Sequence, residues 1–275
     1  MRPDGVDLSG ARAFVFDVDG TLVHRTGPTH VEAMPGAIEL LERIEASGRR
    51  YAIFTNGSHV EPDDFARQLR RTGLPVADGR VLTPLCSVQA YLERLPGDPR
   101  LYAFVTDEAR AYLERVGVRL VDGSDPDEVD AVFVAHADST DFEQLERAAR
   151  AVLAGARLLT GSYVPAYAGA SGPILSRGAM ITAAIAKASS TRPIVVGKPS
   201  RAAVREMERR LGVRSQEIAV VGDDVRLEVA LGHLGHSLTV LVRSGISGAI
   251  DVSGLPAKHR PHLAVDTVAE LLELL

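Results

Sequence analysis

The sequence predicts an α/β protein built on a largely parallel sheet, with a second α/β unit inserted into the first. Three observations carry this expectation. Short β-branched and aromatic runs alternate with amphipathic helical segments. The runs are apolar nearly throughout, as strands buried on both faces require. A length of 275 residues, at roughly 150 per domain, leaves room for about two domains.

Taken in order, Ala13–Phe16 reads as the first strand. Ala37, Ile38, Leu41 and Ile44 then recur at helical spacing behind Pro35, which suits a first helical turn. Tyr51–Phe54 is the second strand, and Pro62–Arg71 a helix. The inserted unit begins near Thr83. It offers strand-like Leu101–Val105, helical Glu108–Val116, strand-like Asp130–Ala135, helical Phe142–Leu153 and a short run Arg157–Leu159. Gly161–Gly178, rich in Gly, Ser, Pro and Tyr, is expected to loop back. Ile194–Val196, Ile218–Val221 and Leu238–Val242 are further strands, and helices are expected at Arg201–Leu211 and Val265–Leu275. The expected division is therefore a first domain of residues 1–82 and 178–275, interrupted by a second at 83–177.

Composition excludes several classes. With 45% hydrophobic and 24% charged residues the chain is neither disordered nor fibrous. A net charge of −5 advertises no nucleic acid or anionic membrane. The longest apolar runs, such as Ala131–Ala135, fall far short of a bilayer span, and the opening Met1-Arg-Pro-Asp-Gly-Val-Asp has no apolar signal core. The single cysteine, Cys86, cannot pair internally and suits a reducing cytoplasm. Two scarcities are informative. Of 31 basic residues only Lys187, Lys198 and Lys258 are lysine, and Asn56 is the sole asparagine. A GC-rich genome imposes such a bias, so positions that still hold Lys or Asn call for a chemical reason.

Four short motifs close apolar runs. Phe16-Asp17-Val18-Asp19-Gly20-Thr21-Leu22 puts two carboxylates two residues apart in extended chain, hence on one side. Two close carboxylates suit a hard cation such as Mg²⁺, or can divide labour as nucleophile and general acid. Alone, Asp-Gly is more often a turn; a calcium loop is excluded because the glycine comes too early and Pro28 stands where the last ligand belongs. Thr55-Asn56-Gly57-Ser58 presents a hydroxyl and a glycine turn able to hold phosphate oxygens, although Asn-Gly is also an ordinary turn pair. Val196-Gly197-Lys198-Pro199-Ser200 is no Walker loop, since Arg192 stands in place of its first glycine. In an arginine-dominated chain, though, the lysine argues for a compact ammonium. Gly222-Asp223-Asp224-Val225-Arg226-Leu227-Glu228 can complete an oxygen-ligand metal site or simply cap a helix. Ligands bind beyond the carboxyl ends of open parallel sheets, so all four motifs are expected in one crevice.

These residues in this order resemble the haloacid dehalogenase superfamily, most of whose members are phosphatases. The insertion between the second and third motifs is similar to the class IIA cap of the NagD and 4-nitrophenylphosphatase branch. Met34-Pro-Gly-Ala-Ile-Glu-Leu-Leu, Phe54-Thr-Asn-Gly-Ser, Gly178-Ala-Met and Val196-Gly-Lys-Pro-Ser carry the likeness. The resemblance implies a Rossmann-like core with an inserted α/β cap and an Mg²⁺-dependent phosphatase of small phosphorylated metabolites. It also implies caps that pair in a homodimer, while charge, apolar-run length and the lone cysteine imply a cytoplasmic location and no nucleic-acid or membrane partner. By the same resemblance Asp17 attacks phosphorus, and Asp19 protonates the leaving oxygen and then activates water. Thr55, with Asn56 and Gly57, holds the phosphoryl group, and Lys198 balances its charge. Asp17, the backbone carbonyl of Asp19 and Asp223 hold the metal, with Asp224 and Glu228 behind them. Asp138, after the cap strand, is expected to touch the leaving group.

Two departures from the family pattern stand out. Leu227 and Glu228 replace further aspartates, and Thr160-Gly161-Ser162-Tyr163 replaces Thr-Asn-Pro-Asp at the cap's exit. With aromatics at 5% and no Trp, no base-stacking platform is evident. His24 and Arg25 read mainly as an exposed loop that could line an entrance, and His136 as a cap residue. His233-x-x-His236 and His259-x-x-His262 read as structural or surface histidines. A phosphotransferase or mutase on the same fold, or a non-catalytic phospho-ligand binder, stays open. A carbon–halogen hydrolase is disfavoured by Asp19.

Overall fold

The computed structural model describes residues 8–25, 30–167 and 174–275. The opening heptapeptide, Pro28 and the middle of the Gly161–Gly178 stretch lie outside them. In chain order the elements are β1 (Ala13–Phe16), β2 (Val23–Arg25), β3 (Val31–Ala33), α1 (Ala37–Ala46), β4 (Arg50–Phe54), α2 (Pro62–Arg70), β5 (Val81–Leu82), α3 (Pro84–Leu92), β6 (Arg100–Phe104), α4 (Asp107–Arg115), β7 (Arg119–Val121), β8 (Ala131–Val134), α5 (Phe142–Leu153), β9 (Arg157–Thr160), β10 (Ala166–Tyr167), β11 (Ile174–Leu175), α6 (Arg177–Ser189), β12 (Ile194–Val195), α7 (Arg201–Leu211), β13 (Ile218–Gly222), α8 (Ala230–Gly235), β14 (Leu238–Val242) and β15 (Leu263–Val265). Among the described residues no helix is long and apolar enough to cross a membrane.

The chain divides into two compact units. The first comprises Met1–Thr55, Pro62–Leu82 and Pro199–Leu275; the second comprises Asn56–Glu61 and Thr83–Lys198. Each is a mixed α/β body around its own parallel sheet.

In the first unit the sheet runs β15-β14-β13-β1-β4-β5. β1 is central, with every residue buried, and lies parallel to both neighbours: Phe16 pairs with Ile53 of β4 and with Val221 of β13. One face packs Ala13, Val15, Ala52, Phe54 and Val220 against Ala203, Val204, Met207 and Leu211 of α7. That helix is started by Ser200, whose Oγ accepts the Ala203 N–H, and stopped by Gly212 in the left-handed region. Tyr51 on β4 is fully buried; its hydroxyl donates to the Pro75 carbonyl at 2.7 Å, and burial pushes its pKa up to about 12.

In the second unit the sheet runs β12-β9-β8-β6-β7, again parallel. α5 and α6 cover one face, bringing Ala148, Ala151, Ile181 and Ile185 against Phe104, Val132, Val134 and Leu158. Asp141 opens α5 with a reciprocal cap: its carboxylate accepts the Gln144 N–H, and the Gln144 side chain accepts the Asp141 N–H.

Three expectations are corrected. Gly161–Gly178 does not form a plain loop: β10 and β11 pair antiparallel within it, and α6 begins at Arg177. The second unit runs on past residue 177 to Lys198, because α6 packs on α5 and β12 pairs with β9. The expected C-terminal helix is instead β15 followed by a 3₁₀ segment, Val268–Glu273, since Leu263 and Val265 are buried as an edge strand on β14.

That edge strand is moored by His262. Its Nδ1 accepts the Thr239 N–H at 3.1 Å and faces the Thr239 hydroxyl at 2.7 Å. Its N–H donates back to Thr239. Partial burial, and the His233 ring 5.1 Å away, hold the His262 pKa below its usual 6.5. The unfolded chain therefore takes this proton first. The contribution is complete above pH 6.5 and is lost as pH falls from there toward the lowered folded value. The thermal midpoint is expected to drop between pH 7.5 and about 5.5, with a shallower drop in His262→Asn; calorimetric scans across that range check it.

Candidate active site

The site begins with register. The Asp17 N–H donates to Val221 of β13 at 2.9 Å, so the chain leaves β1 still paired to the strand that ends in Asp223. On the other side, the Thr55 N–H donates to Leu82 of β5 at 3.1 Å, which carries β4 one residue past its end. Asp17, Thr55 and Asp223 thus follow three adjacent strands at their carboxyl ends. Asp17 is half-buried and Asp19 exposed, with Val18 buried between them. Beyond them the chain turns sharply: the Gly20 N–H donates to the Val23 carbonyl at 2.8 Å, and Asp19 pairs with Val23.

Asp223 is held by a loop that sequence reasoning missed. Its Oδ2 accepts the Ile246 N–H at 2.7 Å, and its carbonyl accepts the Ser247 N–H. Gly245 touches the carboxylate so closely that a Cβ there would lie 2.5 Å from Asp223 Cγ. The Ser244 hydroxyl donates to the Gly20 carbonyl at 2.7 Å, joining this loop to the β1 turn. The signal available was Ser244-Gly245-Ile246-Ser247, directly after strand Leu238–Val242. Asp224 and Glu228 are occupied locally. The Asp224 carboxylate accepts the Arg226 N–H at 2.7 Å, while buried Glu228 accepts the Asp224 N–H at 3.1 Å across a wide π-helical turn, Val225–Val229.

Among the described residues no group of three or more His, Cys, Asp or Glu side chains gathers as a metal cage. What β1 and β13 bring to one sheet end is two carboxylates, Asp17 and Asp223, beside the backbone carbonyls of a turn. All of these are hard oxygen donors. Such a set fits a small divalent cation that completes its shell with water or substrate oxygens, the habit of Mg²⁺.

The remaining motif residues lie in the second unit. The expectation that all four motifs end strands of one sheet is corrected: Lys198 follows β12, which pairs with β9 in the second sheet. Lys198 is buried, only 2% exposed. Asn56 and Gly57 stand where the chain first enters this unit, and two hydrogen bonds join Asn56 to Lys198. Asp138 is exposed beyond β8; Arg177 donates to its carbonyl at 2.8 Å, and His136 Nε2 lies 3.7 Å from its carboxylate. Thr160, common to this chain and the family pattern, is fully buried, with its hydroxyl on the Ser162 carbonyl and 3.0 Å from Thr182 Oγ1; of the departing residues Gly161 is buried and Tyr163 exposed. In the first unit, His24 on β2 faces Glu32 at 3.5 Å and Arg25 ends that strand. His233 bonds the Arg260 carbonyl and His259 the Val225 carbonyl.

Comparison with known proteins gives these features a family. A haloacid dehalogenase-like hydrolase profile matches residues 14–119, and a second HAD-like hydrolase profile matches residues 195–271. Over 259 residues the chain is 29% identical to the ribonucleotide monophosphatase NagD of Escherichia coli K12, covering 94% of this chain and 96% of that protein. It is 28% identical to the glycerol-3-phosphate phosphatase of Rattus norvegicus, covering 98% and 92%. The solved 4-nitrophenylphosphatase of Thermotoga maritima shares the fold, with TM-score 0.84 at 24% identity over 97% of this chain and 98% of that one. The chain belongs to the haloacid dehalogenase superfamily of hydrolases. Within it, the protein groups with the NagD and 4-nitrophenylphosphatase branch.

Gly245→Ala tests the packing around Asp223. The added methyl must displace the carboxylate or the 243–248 backbone, and overpacking of this kind costs about 1–3 kcal/mol. Urea denaturation is expected to show a loss in that range, and an unchanged midpoint would contradict the close approach.

Proposed function

We propose that the protein is an Mg²⁺-dependent phosphatase that hydrolyses small phosphomonoesters through an aspartyl-phosphate on Asp17. The observation that carries this reading is the register of β1 with β4 and β13, which sets Asp17, Thr55 and Asp223 at adjacent strand ends. Asp17 attacks phosphorus as the ester P–O bond breaks, and Asp19 gives its proton to the departing oxygen. Asp19 then takes a proton from the water that attacks the phosphoryl group, which frees inorganic phosphate and restores Asp17. Thr55 and the backbone of Asn56 and Gly57 hold the phosphoryl oxygens, and Lys198 supplies the balancing positive charge. Mg²⁺, held by Asp17, the Asp19 carbonyl and Asp223, supplies further charge neutralisation. Positioning and charge neutralisation are what phosphoryl transfer chiefly requires.

Asp224 and Glu228 steady the turn behind Asp223, and the second unit acts as the substrate-selecting cap, with Asp138 beside the leaving group. The relatives' names differ in substrate, from ribonucleotides to glycerol 3-phosphate and dihydroxyacetone phosphate, so the reading covers small phosphate esters as a class. A cytoplasmic setting and cap-to-cap pairing of two copies complete the proposal; Cys86, buried and free, fits a reducing compartment.

With Mg²⁺ present, purified protein is expected to release phosphate from 4-nitrophenyl phosphate, with transfer to added alcohols a minor product. EDTA is expected to stop the reaction and excess Mg²⁺ to restore it. Asp17→Asn is expected to lower kcat by at least about 10³-fold, as loss of a nucleophile should, and Asp19→Asn by about 10²–10⁴-fold. Wild-type turnover in Asp17→Asn would overturn the assigned nucleophile.

A further inference from the structure

Asn56 carries an unusual pair of hydrogen bonds. Its side-chain Nδ2 donates to the Lys198 carbonyl at 2.9 Å, and its Oδ1 accepts the Lys198 N–H at 2.8 Å, across 142 positions of sequence. One planar amide thus grips both main-chain groups of a single residue, as a neighbouring strand would. Both partners belong to the second unit, and each is the residue at which the chain crosses between units, at Thr55–Asn56 and at Lys198–Pro199.

The surroundings are built to this grip. A Cβ on Gly197 would fall 2.6 Å from Asn56 Oδ1 and 3.1 Å from Pro84 Cγ, and would collide with the Gly161 carbonyl. Gly161 is the residue at which this chain departs from the Thr-Asn-Pro-Asp pattern. The glycine before the lysine is therefore required by close approach. Lys198 itself is 2% exposed, so its side chain has little freedom to correct an error in its backbone.

Few side chains can replace this amide. At neutral pH only asparagine and glutamine point a donor and an acceptor the same way from one planar group. Glutamine sets that plane a methylene further out, and aspartate offers two acceptors where one donor is needed. A chain that uses asparagine nowhere else keeps it here, and keeps one of its three lysines as the partner.

We infer that the Asn56 side chain is a positioning residue that fixes the Lys198 backbone, and through it the direction of the buried ammonium. This inference rests on the phosphatase reading only for its kinetic consequence. The clamp itself can be read without turnover, because the protein has three lysines and Lys187 and Lys258 are exposed. Lysine-selective ¹³C labelling therefore gives three εCH₂ signals, and the one missing from Lys198→Arg is Lys198.

In Asn56→Ala that signal is expected to move toward the two exposed lysines. kcat on 4-nitrophenyl phosphate is expected to fall about 10–100-fold with KM within about 3-fold, since a misplacement near 1 Å costs up to this much. Asn56→Gln should do no better. Asn56→Asp, which keeps the acceptor for the Lys198 N–H, should fall between Ala and wild type in both readouts, and it serves as the test if Asn56→Ala does not fold. A Lys198 signal and kcat that both stay at wild-type values in Asn56→Ala or Asn56→Asp would overturn the clamp. So would a loss confined to KM. If wild-type protein hydrolyses no ester while the Lys198 signal still moves, the phosphatase reading fails and the clamp stands.

Discussion

The hydrogen-bonded register of β1 between β4 and β13 is the constraint on which the first unit turns. Ala13 to Phe16 are buried, and each is paired on both sides. A slip by one residue would send Phe14 and Phe16 into the layer where Ala13 and Val15 pack on α7, so the difference in side-chain size between the two faces holds the register. Because the strands end together, Asp17, Thr55 and Asp223 are delivered to one sheet end by the core.

That placement carries an electrostatic cost. Two carboxylates at the ends of neighbouring strands disfavour each other's ionised form. Asp223 cannot relieve this by swinging away, for Gly245 presses on its carboxylate and the Ile246 N–H holds Oδ2. Asp17 is tied through its backbone to Val221. A pair of carboxylates fixed in this manner is best stabilised by a cation or a proton between them. On the proposed phosphatase reading the cation serves better, because it also attracts a phosphate dianion where a proton would only remove repulsion.

Much of this was legible in the sequence, because the first, second and fourth motifs each close an apolar run that does become a strand of the first sheet. α7 and α5 matched their expected limits at Arg201–Leu211 and Phe142–Leu153, where apolar periodicity and a Ser or Asp cap coincide. Misreadings came where a short apolar run carries no information about its neighbours. Ile194–Val195 looks like any core strand, yet it completes the second sheet beside β9. Val265–Leu275 reads as a helix, but Val265 is buried as the end of edge strand β15 and the residues after it form only the 3₁₀ segment Val268–Glu273. The loop that grips Asp223 was missed for a different reason. Its contributions are backbone N–H groups and the absence of a side chain, and neither leaves a chemical residue type to notice.

In the acidic run after Gly222, the residue that departs from the family pattern, Glu228, is built into the local turn. Asp224 and Glu228 are joined through the backbone: the Asp224 carboxylate caps the Arg226 N–H, and Glu228 returns to the Asp224 N–H. The turn here is π-helical over Val225–Val229, and Glu228 reaches back across it to the residue that caps it. Glu228 is buried, so an unsatisfied carboxylate in its place would be costly. The bond from Glu228 keeps the Asp224 N–H satisfied, and with it the turn that follows Asp223.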